Sequence, residues 1–392
     1  MKRKTRGANG DSIPRLSVTS LEPQLFWRDF ISKRQPAVFD SLIDDPDWRG
    51  HLWTNAYLAG KCNEEVVRVE VRQEGLRGFG RGVETSMPFP DFLTRLEKAY
   101  GGDFEYYMST QELSYDEEGR PLLVSPPVHQ LVGDFPWRPR IMGNLVLQNA
   151  NLWFGTSSVP TSSGLHHDFH DNLYLLLRGR KTFTLYAPSE LAGMYTHGTV
   201  REMHPNGRIN YEGHPATNAD GSDLAAAALS AAARRLDCLG KELDDSYSIK
   251  KVRVRSESEI EAEMDREMEL ILDQEMNEDD DEDAKYDEQD EETASTKQPP
   301  NFSRVNLSLP LTELRRQFPL FPTEPFATVE LNKGQMLYLP AGWFHEVLSE
   351  GSVEGHLAFN YWFHPPDGNS YEQPYAKNFW LLDWESRKDE TR

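Results

Sequence analysis

Short runs of alternating or continuous apolar residues dominate the second half of the chain. From about residue 145 they are separated by Gly, Pro and Ser. The runs are LVLQNANLWFG, GLHHDFHDNLYLLL, KTFTLYA, ATVELN, QMLYL, HEVLS and HLAFNYWF. Several short strands divided by turns are typical of an all-β barrel or sandwich. The pattern therefore predicts a β domain built from residues 141–214 and 302–366.

The N-terminal third of the chain has a different periodicity. Leu21–Ser32 and Pro90–Tyr100 place their apolar residues at the spacing of amphipathic helices. Between them, Val66–Val71 reads VVRVEV, an alternation that predicts a half-buried strand. We therefore expect residues 15–140 to form helices and strands that pack on the β domain. A C-terminal helical extension is expected over residues 367–392.

The β pattern is interrupted between residues 215 and 301. The alanine-rich stretch Asp223–Leu236 favours a helix, and the residues after it become strongly acidic. Ser256–Ser295 holds 20 Asp or Glu against two basic residues, which is −18 of the chain's formal net charge of −22. The glutamate-rich stretch Glu257–Met276 could be helical, but residues 277–300 have almost no apolar side chains and cannot offset the ordering entropy. Because strands resume afterwards, residues 215–301 are predicted to be an insertion that continues from the helix into a disordered acidic segment.

Composition narrows the class of protein. The 392 residues are 38% hydrophobic, enough for a sizeable packed core. Cys62 and Cys238 are too few and too far apart for a disulfide framework or a zinc finger. No apolar stretch has the length of a membrane span, and residues 1–14 are basic without the apolar core of a signal peptide. We expect a cytoplasmic or nuclear protein with a disordered tail over 1–14, no membrane association and no direct binding to nucleic acid.

Histidine and aspartate cluster in Gly164–Asn172, which reads GLHHDFHDN. On a strand, residues two apart point to the same face, so His166 and Asp168 would project together while His167 points away. The best candidate for a third ligand is His345, which opens a strand after a Pro-Ala-Gly turn. Two histidines and one carboxylate form the facial arrangement of non-haem Fe(II) oxygenases, which leaves positions for a co-substrate and dioxygen.

Other interpretations of this cluster remain open. A helix would bring His166 and His170 to one face as zinc ligands, although His167 stands where zinc peptidases need a glutamate. Any one of these histidines could also be a surface or hydrogen-bonded core residue. The sequence alone therefore favours a metal site without excluding these alternatives.

Lys181 strengthens the metal-site interpretation. It follows Asn172 by nine residues and could point from its predicted strand into the same barrel. A buried lysine needs an anion, which a dicarboxylate co-substrate would provide. The alternative is that Lys181 lies on the surface, as the sequence suggests for Arg178 and Arg180.

Three segments resemble a known family. Ser163–Pro188, Gly334–His345 and Ala358–Trp362 together closely resemble the Jumonji C (JmjC) family of Fe(II)- and 2-oxoglutarate-dependent oxygenases, and within it the small lysyl and asparaginyl protein hydroxylases. H-x-D-x-x-x-N, a lysine nine residues later and Y-L-P-x-x-W-x-H occur in that order. The likeness extends loosely over Pro36–Leu58 and Met87–Gln111. It implies a mostly β fold with flanking helices, the double-stranded β-helix or jelly roll of cupin and JmjC proteins.

The resemblance also implies roles for individual residues. It makes His166, Asp168 and His345 the iron ligands and the catalytic centre. Lys181 would pair with the distal carboxylate of 2-oxoglutarate. The residues implied to bind the co-substrate or to line its pocket are Lys181, Ser163, Tyr107, Asn172, Asn360 and Trp362. Tyr106 stands beside Tyr107, so the alignment is ambiguous by one position there.

The implied activity is hydroxylation of a protein side chain with Fe(II), 2-oxoglutarate and dioxygen, releasing succinate and CO2. The expected substrate is lysine or another basic residue, and the acidic insertion could steer a basic partner or act only as a solubilising loop. The alternatives are an N-methyl-lysine demethylase and a non-catalytic cupin-like binding protein that acts through its insertion. His166 and His345 are 179 positions apart, and 92 once the 87 residues of the insertion are subtracted, which suits the family. The sequence carries no signal for the oligomeric state.

Overall fold

A computed structural model describes residues 13–387 apart from 74–79, 81, 100, 114, 116–121, 157–158, 225, 229–234, 236–265 and 267–297. Most of the predicted basic tail, alanine-rich helix and acidic segment lie outside these residues. The chain divides into two compact units, one formed by Met1–Glu212 with Pro299–Arg392 and the other by Gly213–Gln298. In the second unit, a β-bridge joins Thr217 and Asp223. No helix in the described part of the chain is long and apolar enough to cross a membrane.

Strands are the main regular structure of the first unit. In chain order they are β1 Arg15–Leu16, β2 Ala37–Phe39, β3 Val66–Gln73, β4 Val83–Pro88, β5 Phe104–Met108, β6 Leu147–Gly155, β7 Thr161–Ser162, β8 His166–His167, β9 Asp171–Arg178, β10 Arg180–Tyr186, β11 Val200–Met203, β12 Ile209–Tyr211, β13 Ala327–Asn332, β14 Met336–Leu339, β15 Phe344–Glu350 and β16 His356–Phe363. The helices are α1 Pro23–Phe26, α2 Asn55–Lys61, α3 Phe89–Ala99, α4 Leu311–Gln317 and α5 Phe379–Arg387.

Two sheets form the double-stranded β-helix. The larger has nine strands in the order β1-β2-β14-β9-β16-β6-β5-β3-β4, and the smaller runs β13-β10-β15-β7 with β8 also paired to β15. Side chains of the two sheets share one core, in which Tyr174 and Leu176 of β9 lie with Phe183 and Leu185 of β10. This is the predicted jelly roll of cupin and JmjC type.

The opposite face of the larger sheet carries a second core. Leu173 and Leu175 alternate with the inward residues of β9 and join the side chains of the helical layer. The predicted helix Leu21–Ser32 begins at Pro23, a residue favoured at the first helical position, and continues past α1 as a π-helical turn over Trp27–Ile31. The β fold with flanking helices is therefore confirmed.

The N-terminal region does more than cover the barrel. Strands β3, β4 and β5 extend the larger sheet, because Tyr107 and Met108 of β5 pair with β6. The buried side chains at the start of β3 are valines, whereas those at its end are the charged Glu70 and Arg72. This extension brings polar residues of β3 and β5 to the end of the barrel interior.

Candidate active site

His166, Asp168 and His345 come together at one end of the barrel. Strand β8 holds His166 and pairs with β15, so that His166 lies directly opposite His345. Asp168 follows β8, and its Oδ2 is 4.0 Å from Nε2 of His345. One ligand atom from each residue lies within 4.8 Å of the others. The helical interpretation of this segment is wrong, since His166–His167 is a strand.

Both histidines have a fixed ring orientation. Nδ1–H of His166 donates to the carbonyl of Gly164 at 2.9 Å, and Nδ1–H of His345 donates to that of Trp343 at 3.0 Å. Each ring therefore presents Nε2 to the centre, as outer hydrogen bonds do in metal sites. The neighbouring His167 points away and bonds the hydroxyl of Tyr211 at 2.7 Å.

The charge states of the triad suit a divalent metal. Burial, followed by the nearby His345, lowers the pKa of His166 to about 4. Burial acts to raise the pKa of Asp168. The nearby His345 and His166 and a hydrogen bond from the Asn172 side chain outweigh burial, so the pKa is lowered overall. Near neutral pH the centre thus offers a neutral imidazole beside an ionised carboxylate, the forms that bind metals. The donor set fits Fe(II).

A chain of amides holds the carboxylate of Asp168 in place. Asn172 donates from Nδ2 to Oδ2 of Asp168 at 3.1 Å, and Asn360 donates to Oδ1 of Asn172 at 3.1 Å. Asn360 in turn accepts from Nδ2 of Asn151 at 3.2 Å and from Nε1 of Trp153 at 2.8 Å. These bonds leave Asp168 little freedom to rotate, so its second oxygen remains available to a ligand.

The cavity that holds the triad extends to a buried lysine. Lys181 is 1% exposed, and its ammonium donates to the hydroxyl of Ser349. Burial lowers the pKa of Lys181 to about 7. An ammonium in such a place is stabilised by an anion, and a carboxylate entering the cavity would supply one.

Tyr107, and not Tyr106, lines the same end of the cavity. The Lys181 Nζ atom lies 6.0 Å from the centre of the Tyr107 ring. Gly155 makes room for that ring, because a Cβ there would lie 2.7 Å from Cδ2 of Tyr107 and 3.2 Å from the His356 ring. Tyr106 instead packs against the helical core.

A buried ion pair lies beside Tyr107. Arg72 of β3 also lines the cavity, and its guanidinium donates to Oε2 of Glu105 at 3.2 Å. Both side chains are about 95% buried, with exposed fractions of 4% and 5%. The end of the cavity opposite the metal centre therefore holds two cationic side chains, one of them paired with a carboxylate.

The remaining residues implied by the resemblance have different positions. Ser163 lines the cavity, but its hydroxyl donates to the carbonyl of Gly164 and accepts from the backbone of Val347. Asn360 acts through Asn172 rather than at the cavity wall. Trp362 lies one layer further out, where its ring packs against Trp153, with the two centres 6.1 Å apart.

Sequence reasoning missed Ser349, Arg72 and Trp153. Ser349 could have been identified from the sequence, because it follows His345 by four residues on one strand and therefore shares its face. Arg72 and Trp153 come from strands whose register with the motif strands a single sequence does not reveal.

Comparison with known proteins places the chain in a family. The model of the "Cupin-like domain" family matches residues 23–369. "JmjC domain-containing protein 4" of Schizosaccharomyces pombe is 33% identical, and the alignment covers 95% of this chain and 89% of that protein.

Two shorter matches have named activities. "Lysine-specific demethylase JMJ32" of Arabidopsis thaliana is 26% identical over 50% of this chain and 55% of its own length. The human "Bifunctional peptidase and (3S)-lysyl hydroxylase JMJD7" is 25% identical over 43% of this chain and 52% of its own length. The chain thus matches about half of each of these proteins. On the family match and the long alignment with the yeast protein, the chain belongs to the cupin-like JmjC family.

Proposed function

We propose that the protein is an Fe(II)- and 2-oxoglutarate-dependent dioxygenase that hydroxylates a protein side chain. The observation that carries the proposal is the His166–Asp168–His345 triad in one cavity with a buried lysine. A non-catalytic cupin has no need of a buried ammonium that faces three metal-binding side chains. Fe(II), when bound with 2-oxoglutarate and dioxygen, supplies the oxidising chemistry that inserts oxygen into a C–H bond and releases succinate and CO2.

The residues of this chain would bind and orient the reactants. His166, Asp168 and His345 hold the metal, and Asn172 keeps Asp168 in its ligating orientation. Lys181 would bind the distal carboxylate of 2-oxoglutarate, because its buried ammonium donates to the neutral hydroxyl of Ser349 and faces the same cavity. Tyr107 completes that end of the cavity. Phe183 and Val347 add apolar surface to the lining, and the low dielectric of this buried place strengthens the charge interactions.

A protein substrate is supported by the relatives. The human relative is named a lysyl hydroxylase and the Arabidopsis relative a lysine-specific demethylase, and both names refer to lysine. We extend this to the present chain as a proposal for a lysine or other basic side chain. The acidic insertion would favour encounter with a basic partner through long-range attraction.

Demethylation is the second candidate, favoured by the name of the Arabidopsis relative. Hydroxylation of an N-methyl group yields a product that loses formaldehyde, whereas hydroxylation of a ring or side-chain carbon leaves the oxygen on the protein. The two reactions therefore differ in a measurable product.

Succinate release tests the proposed activity. The purified chain is mixed with Fe(II), ascorbate and 2-oxoglutarate, and Asp168→Ala serves as the inactive control. Wild type should form succinate and the variant should not. Equal succinate from both proteins, or none from wild type with metal bound, would contradict the proposal. Formaldehyde released from a methyl-lysine peptide would favour the demethylase.

A further inference from the structure

Asp171 is a buried carboxylate close to the metal centre that does not face it. It is fully buried, and both of its oxygens accept hydrogen bonds. The Arg34 guanidinium donates to both oxygens, with Nη1 at 2.8 Å from Oδ2. The Tyr338 hydroxyl donates to Oδ2 at 2.7 Å, and the backbone N–H of Ala341 donates to Oδ1 at 3.0 Å.

These contacts join the two segments that carry the metal ligands. Asp171 opens β9, three residues after Asp168. Ala341 lies in the turn between β14 and β15, which leads to His345. The backbone N–H of Gly342 in the same turn donates to the carbonyl of Asp168 at 3.0 Å. Asp171 therefore links the Asp168 segment to the His345 turn.

Arg34 has a backbone conformation that needs support. Its φ is +54°, in the left-handed region that non-glycine residues rarely occupy. Two contacts hold it there besides Asp171 itself. Nε donates to the carbonyl of Asn206 at 2.9 Å, and the Arg34 carbonyl accepts from Nε1 of Trp343 at 3.0 Å. Trp343 also provides the carbonyl that fixes the His345 ring.

The turn before His345 is tightly confined. Gly342 has φ +78°, and a Cβ at this position would lie 1.9 Å from the carbonyl oxygen of Gly207. Strained residues persist where the surrounding structure over-determines them, and such places are enriched at functional sites. The turn thus has one position, set by Asp171 on one side and by Gly207 on the other.

We infer that Arg34, Asp171 and Tyr338 form a positioning clamp for the metal centre. The clamp fixes the turn that carries His345 relative to the segment that carries Asp168, and so sets the spacing of two metal ligands. Its members touch neither the metal nor the co-substrate. The inference rests on the proposed function, since it concerns the same metal site.

A matched pair of tyrosine variants tests the clamp. Tyr338→Phe removes one hydroxyl from the carboxylate of Asp171. Tyr57→Phe removes one hydroxyl, 2.8 Å from Oδ2, from Asp134, a buried carboxylate that also accepts from Trp53 and lies outside the metal cavity. Both variants lose a comparable hydrogen bond, so a purely structural role predicts the same outcome for both.

Two quantities are measured on the full chain with Co(II) as the only added ligand. The first is the Co(II) affinity, and the second is the absorption spectrum of bound Co(II), which depends on ligand geometry. We expect Tyr338→Phe to weaken Co(II) binding by up to about tenfold, the lower end of the loss that follows removal of a direct partner of a metal ligand, and to alter the spectrum. Tyr57→Phe should bind like wild type, while melting curves show similar losses of stability. If Tyr338→Phe does not fold, Arg34→Lys, which keeps the charge but loses the two-pronged contact, replaces it.

Two results would overturn the clamp. Unchanged Co(II) affinity and spectrum in folded Tyr338→Phe would show that Asp171 stabilises the fold only. Equal weakening in Tyr57→Phe would show that the effect is general destabilisation. Failure of wild type to bind Co(II) is a different result, which contradicts the proposed function and the clamp with it.

Discussion

Replacing Lys181 with Met gives a quantitative test of the co-substrate site. The side chains have similar length, but Met carries no charge. Burial lowers the pKa of Lys181 from its ordinary 10.5 to about 7. A folded-state pKa below the unfolded value means that the unfolded chain binds more protons between pH 7 and 10.5, so that stability rises with pH over this window.

The magnitude follows from that pKa difference. The difference of about 3.5 pKa units, at about 1.4 kcal/mol each, corresponds to ~5 kcal/mol, and ~4 kcal/mol of this cost is present at pH 7, where the folded lysine is already half deprotonated. Lys181→Met should therefore raise the free energy of unfolding by up to ~4 kcal/mol at neutral pH, and the gain should vanish above pH 10.5. Chemical unfolding at several pH values measures it.

The affinity for 2-oxoglutarate, unlike the stability of the fold, should fall as the pH rises. If the carboxylate pairs with the protonated lysine, the fraction of protein able to bind falls once the pH exceeds 7, and affinity drops by about tenfold between pH 6 and 8. Calorimetric titration of the Mn(II)-loaded protein measures this dependence. Lys181→Met should bind poorly at every pH. A flat pH profile in wild type, or normal affinity in Lys181→Met, would refute the assignment.

Three further predictions follow from other parts of the chain. Asp168→Ala should abolish metal binding in calorimetry, because only two histidine ligands and no carboxylate remain, and retention of normal affinity would contradict the triad. Gly155→Ala should weaken 2-oxoglutarate binding and lower the free energy of unfolding by roughly 1–3 kcal/mol, since the new methyl would lie 2.7 Å from the Tyr107 ring. Unchanged affinity would show that Tyr107 does not contribute to co-substrate binding. Deleting residues 277–297, which spares Pro300 and its hydrogen bond from Gly198, should leave the melting temperature nearly unchanged, because an acidic segment of this composition buries little, and a drop of many degrees would show that it packs.

Local patterns were sufficient for much of the fold and the triad. Near-continuous apolar runs identified β9 and β16 as strands, because one face of each is buried against the helical layer and the other faces the barrel interior. The two-residue spacing of His166 and Asp168 predicted that their side chains converge. The structure brings them together even though β8 ends at His167, since Asp168 continues at the strand's end.

Contacts between distant strands could not be predicted in the same way. The pairing of Arg72 with Glu105, and the place of Arg72 in the cavity that holds Lys181, depend on the register of β3 with β5 and of β5 with β6. Shifting a strand by one residue turns its side chains to the other face, so a single sequence does not specify such a register. The same holds for Arg34 and Asp171, which are 137 residues apart.

The most direct test of the central claim follows the oxygen atom. Proteins from a cell extract are incubated with 2-oxoglutarate, Fe(II) and isotopically heavy dioxygen, together with wild type or with Asp168→Ala. Mass spectrometry should find a protein side chain that gains one heavy oxygen atom only with wild type, in step with succinate formed. Heavy oxygen found only on small metabolites, or found equally with Asp168→Ala, would contradict the account.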